Sequence, residues 1–104
     1  MRNHYILEGH DVKVVDSITW GKWFYKAERH VADEKVGDVR VSTVFLGINH
    51  SFGQGKPLLF ETLVFNGTLD GEMERYSTWD EAEVGHKQMV QRVKEAGQNK
   101  TKGE

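Results

Sequence analysis

The chain has 104 residues, a formal net charge of −2 and no cysteine. That length supports one hydrophobic core. The missing thiols exclude disulfides and thiolate zinc sites, and acids and bases interleaved along the chain argue against a broad nucleic-acid footprint, which needs a clustered basic face. Aromatic side chains make up 11% of the residues, so large rings must fill much of the core.

The first predicted element is an edge hairpin, Tyr5–Leu7 and Val12–Val15, around the turn-like cluster Glu8-Gly9-His10-Asp11. Met1–Leu7 has no long apolar stretch of the kind a secretion signal carries. Asp16 or Ser17 then caps a helix expected to reach Val31, because Trp20, Trp23, Phe24, Ala27 and Val31 recur at helical period. Gly21 weakens that helix by about 1 kcal/mol relative to alanine and suggests a close backbone contact. Residues 32–38 read as a charged connector ending at Gly37.

Two strongly apolar strands follow, Val39–Ile48 and Leu58–Phe65, joined by the glycine-rich loop Asn49–Pro57. If Asn49 lies across from Pro57, Phe45 and Glu61 are partners and share one face, with Arg40 on the other. Asn66-Gly67 and Asp70-Gly71 are turn signals, and Glu72–Ser77 reads as a short polar strand. Thr78-Trp79-Asp80-Glu81 has the form of a capping box. The helix it opens should bury Ala82, His86, Met89, Val90 and Val93 and stop near Ala96, with Gly97 at C′. The expectation is an α+β domain over residues 1–97, a mainly antiparallel sheet of four or five strands under two helices in the order ββαβββα, with a flexible tail over 98–104. No apolar run approaches ~20 residues, so no membrane-spanning helix is expected.

Candidate chemistry gathers on the central hairpin. Arg40, His50, Ser51, Gln54, Lys56 and Glu61 are the residue types that grip a ligand or partner; His50, Ser51, Gln54 and Lys56 are displayed on the polar tip, and Arg40 and Glu61 stand in the strands. Glu61 stands in an apolar strand and needs a basic or hydrogen-bonding partner, or water. Gly53-Gln54-Gly55-Lys56 could cradle an anion but lacks the Ser/Thr and helix of a Walker A loop. Glu83 and His86 stand at i, i+3, half of a di-iron motif without a second copy, and no other histidines show metal spacing. No serine lies in a nucleophile elbow. The sequence therefore assigns no catalytic residue, no metal and no cofactor. The three tryptophans could stack bases, but their helical spacing favours the core.

Four stretches, Thr19–Phe24, Arg40–Gly47, Asn49–Gly53 and Pro57–Thr62, together with Tyr76–Trp79 and Gly85-His86, resemble a family of small uncharacterised proteins encoded in phage and prophage genomes. The resemblance spans Thr19 to Val93. It implies a genetic setting, a virus or an integrated prophage, and transfers no catalytic residue; folding without thiol staples fits a reducing cytosol, here that of a bacterial host. In that setting the leading expectation is a non-enzymatic accessory protein that binds and modulates a host or defence macromolecule. The expected partner is a host or phage protein. A nucleotide-type binder using the 49–57 loop for a small anionic ligand, and a small hydrolase using His50 and Glu61, are the alternatives.

Overall fold

A computed structural model describes residues His4–Lys102 except Phe52 and Gln54, with side chains as far as Gly97. The chain folds as α+β. Two strands, β1 (His4–Glu8) and β2 (Asp11–Val15), form an antiparallel hairpin. Helix α1 (Ser17–Lys26) follows, then a four-stranded antiparallel sheet in sequence order: β3 (His30–Val36), β4 (Val39–Phe45), β5 (Phe60–Phe65) and β6 (Met73–Tyr76). Helix α2 (Trp79–Lys102) closes the chain and lies across the sheet. The expected helices, hairpin and antiparallel strands all form.

One segment departs from expectation. Residues 32–38 are not a connector: most of them belong to β3, an edge strand whose polar side chains hid its pattern. Helix α1 is correspondingly shorter than its apolar stripe predicted. It starts where Asp16 Oδ1 accepts from the Thr19 amide at 2.8 Å, and ends at Ala27, whose backbone is extended. The reason is pairing. The Arg29 carbonyl accepts from the Phe45 amide at 2.8 Å, so the chain joins the sheet there and Val31 enters β3. Helix α2 starts with the expected capping box: the Glu81 amide donates to Thr78 Oγ1, and the Ser77 and Thr78 amides both donate to Glu81 Oε1. It then runs through Gly97, which lies inside the helix and not at C′.

The register of the central hairpin also differs. Phe45 lies opposite Phe60 and Glu61 opposite Val44. Gly47 is the cause. Its φ is +80°, and the chain there turns to β1, where the Tyr5 amide donates to the Gly47 carbonyl and Ile48 bridges His4. The pairing restarts with the His50 amide on the Leu58 carbonyl. A slip of one residue exchanges the faces of a strand, so Arg40 and Glu61 share the outer face instead of standing on opposite ones.

The inner face, under α2, carries Val41, Thr43, Phe45, Phe60, Thr62 and Val64, all fully or almost fully buried. Phe45, Phe60, Leu59, Tyr5 and Ala82 form one core cluster, and Val41, Val64, Met89, Val90 and Val93 the other. Each fully buried side chain of this size contributes about 1.5–3 kcal/mol. Trp23 and Trp79 frame the first cluster at right angles, edge-on to Phe45 and Phe60 at 5.7 and 6.2 Å between ring centres. Gly85 is buried because α2 crosses Tyr76 there: a Cβ at position 85 would stand 2.2 Å from the tyrosine ring.

Candidate functional site

The structure distributes the hairpin residues along the sheet. Arg40 sits at the far end of β4 from the loop, where its guanidinium donates to both carboxylate oxygens of Asp33 at 2.9 and 2.7 Å and covers the Phe65 ring. Its partner in β5 is Phe65, whereas Glu61 stands opposite Val44 near the other end. Glu61 has the basic partner its apolar setting demanded: Arg75 Nε of β6 donates to it at 3.0 Å. His50 Nδ1–H donates to the Ile48 carbonyl at 2.8 Å. The Ser51 amide donates to Asn49 Oδ1, which also accepts from the Leu58 amide, so one asparagine side chain closes the loop. Lys56 is exposed on the same loop. Gln54 lies outside the described residues. His50, Ser51 and Lys56 thus share a loop, while Arg40 and Glu61 are each committed to an ion pair elsewhere.

A second constellation, invisible to the sequence reading, runs through the interior. Tyr76 Oη donates to Thr62 Oγ1 at 3.1 Å, Thr62 pairs with Thr43, Thr43 Oγ1 lies 2.7 Å from His86 Nδ1, and His86 Nε2 lies 2.9 Å from Glu34 Oε1. One direction of donation satisfies every group. Nε2–H donates to the Glu34 carboxylate, so Nδ1 accepts from Thr43, which accepts from Thr62, which accepts from Tyr76. The chain crosses the sheet from β6 to β3 and fastens it to α2 at a histidine only 2% exposed. Burial raises the Tyr76 phenol above its ordinary value, partly offset by its bond to Thr62. Both imidazole nitrogens are engaged, so His86 has neither one left to ligate a metal. Among the described residues no group of three or more histidine, aspartate or glutamate side chains is arranged to hold a metal ion. A clue was present in the sequence: an imidazole on the apolar stripe of a helix must find polar partners within the core.

Helix α1 is the third feature. Its stripe of Trp20, Trp23 and Phe24 faces the body of the protein, yet none of its residues is fully buried. Arg29 pins the segment behind it, donating to the Phe45 carbonyl at 3.0 Å while its guanidinium covers the Phe24 ring at 4.1 Å. On the opposite side Ile18 is 71% and Tyr25 87% exposed. A shallow depression lined by Gly21, Lys22, Tyr25 and Lys26 lies on that side.

Protein-family models, curated proteins and solved structures were all compared with the chain, and none matches it. No helix among the described residues is long and apolar enough to cross a membrane.

Proposed function

We propose that this chain is a phage or prophage accessory protein that acts by binding and modulating a host protein, and that the outer side of α1 is its contact element. The observation that carries the binding reading is the exposure of Ile18 and Tyr25 one above the other on a helix whose opposite side is fixed by aromatic packing. An isoleucine and a tyrosine held in water at helical spacing are anchors of the kind that dominate protein interfaces, tyrosine above all. The genetic setting rests on the resemblance of Thr19–Val93 to phage-encoded proteins, and the reducing cytoplasm on a chain that folds without cysteine. The polar groups of the hairpin support an anion-gripping or hydrolytic role less well, because Arg40, His50 and Glu61 are engaged with Asp33, Ile48 and Arg75.

The test is photo-crosslinking in a bacterial lysate from a benzoylphenylalanine at position 25, against the same group at exposed Glu83 on α2. A discrete adduct from position 25, absent from position 83 and competed by unlabelled protein, is expected. Equal labelling from both positions, or none from position 25, would overturn the proposal.

A further inference from the structure

The face of α1 has a chemistry that specifies its occupant. Helix α1, SITWGKWFYK, contains two lysines and no acid, in a chain with 16 aspartates and glutamates. Among the described residues neither Lys22 nor Lys26 makes an ion pair, a state they share with Lys35, Lys56, Lys87 and Lys94, but only on α1 do two such lysines flank an exposed tyrosine. Lys26 complements the helix dipole at its C-terminal turn. Lys22, in the middle of the helix, has no such role. Both stand beside Tyr25 on the rim of the same depression.

The glycine is the second observation. Gly21 lies mid-helix, where it costs about 1 kcal/mol relative to alanine, and a Cβ built on it would meet nothing within 4 Å. Gly47, Gly67 and Gly85 each make room for a neighbouring side chain. Among the described residues no neighbour occupies the place a side chain at position 21 would take. Gly21 lies between Ile18 and Tyr25 on the outer side, where a missing side chain lets another helix approach closely.

From the charge and the notch together, we infer that α1 receives an acidic amphipathic helix of a partner protein, crossing over Gly21, with its apolar side on Ile18 and Tyr25 and its carboxylates on Lys22 and Lys26. This rests on the proposed role of α1 and adds the identity of what binds there. A second copy of the same helix is the wrong occupant, because it would bring like charges together over the notch.

The probe is a synthetic helical peptide of ~20 residues, long enough to hold a helix, with leucines along one side flanked by glutamates; its control carries lysines in place of the glutamates. Binding to the full chain is followed by amide chemical shifts and by anisotropy of a labelled peptide. The glutamate peptide is expected to shift the amides of residues 18–26, to bind more weakly as salt rises, and to bind at least about tenfold tighter than the lysine peptide. The double variant Lys22→Glu/Lys26→Glu should reverse that preference. Tyr25→Ala, at a fully wet position, should weaken binding about tenfold or more without unfolding the protein. Gly21→Ala should raise the thermal midpoint yet weaken binding, a combination that a structural role for Gly21 would not give. Equal affinity for the two peptides, or shifts confined to the lysine peptide, would overturn the acidic occupant while leaving α1 as a docking element. Concentration-dependent self-association shifting the same amides would overturn it in favour of a second copy. Silence of α1 toward both peptides, with no adduct from position 25, would remove both readings.

Discussion

His86 Nε2 lies 2.9 Å from Glu34 Oε1, which joins the middle of α2 to the edge strand β3 at one end of a relay that begins at Tyr76 on β6. The glutamate side chain is 53% exposed and the imidazole 2%. The carboxylate end of the relay is therefore wet, and its energetic weight lies inside, at the two threonines.

Thr43 and Thr62 are both fully buried and pair with each other. Replacing Thr62 by valine leaves Thr43 without its donor and Tyr76 without its acceptor, and should cost about 1–3 kcal/mol, the usual penalty for stranded buried polar groups. Thr43→Val should cost a similar amount by orphaning His86 Nδ1. Together the two losses should fall short of their sum by at least about 0.5 kcal/mol, because each single variant already breaks the shared bond. Urea unfolding of the two single variants and the double variant measures this. Strict additivity would mean that the threonines do not act as one network.

Acid should weaken the fold partly through β3. The Asp33 carboxyl is held below its ordinary value of 3.8, chiefly by its hydrogen bonds from Arg40, with burial opposing slightly. The Thr19 amide does the same for Asp16, and the His30 amide for Glu28. A carboxyl depressed on folding contributes stability that is present above its unfolded value and is lost as pH falls through the folded one. Arg40→Gln removes the main cause at Asp33, so its urea midpoint should fall less steeply than wild type on acidification below 3.8. Both partners are well exposed, which keeps the difference small. Parallel acid limbs in the two proteins would show that the Arg40 pair does not carry it.

The contrast between β3 and α2 explains what was legible in the sequence. The α2 stripe announced itself, because Ala82, Met89, Val90 and Val93 recur at helical period and a capping box marks the start. The α1 cap, the Asn66-Gly67 turn and the first hairpin were equally local signals. β3 was hidden because an edge strand offers only one buried face. Asp33, Glu34 and Lys35 break its apolar pattern, although Asp33 and Glu34 are both used, by Arg40 and by His86. The hairpin register was out of reach for a different reason. It depends on Gly47 leaving the ladder to meet β1, a contact between segments more than forty residues apart. The candidate residues were identified by type, but the partners of Arg40 and Glu61, Asp33 and Arg75, follow only from the pairing of β3 with β4 and of β5 with β6. The outer side of α1 carries no such signal, because helical periodicity marks the apolar stripe and not what stands opposite it.

Gly85→Ala tests the fit of α2 on the sheet. The new Cβ would stand 2.2 to 2.3 Å from the Tyr76 ring and hydroxyl, so the ring must leave and its bond to Thr62 with it. Alanine is the better helix former by about 1 kcal/mol, yet overpacking and the lost hydrogen bond together should leave the variant about 1–2 kcal/mol less stable. Combining it with Tyr76→Ala should recover the helix-forming gain. A stabilised Gly85→Ala single variant would mean that α2 has slack over β6.

Gly47 governs how α1 is seated. Its φ of +80° is strained for any other residue, and a Cβ there would stand 2.8 Å from Trp20 Nε1 and 3.4 Å from the Phe24 ring. Its carbonyl meanwhile holds the Tyr5 amide of β1. Gly47→Ala combines backbone strain with displacement of the indole, and should cost about 1–3 kcal/mol. It should also change the fluorescence of Trp20, read in a background where Trp23 and Trp79 are replaced by phenylalanine. Gly21→Ala, on α1 itself but facing open space, should move stability the other way. If both alanine variants were stabilising, Gly47 would not be the seat of α1, and the aromatic side of the helix would have to be held by its other contacts, among them His4, Arg29 and Phe45.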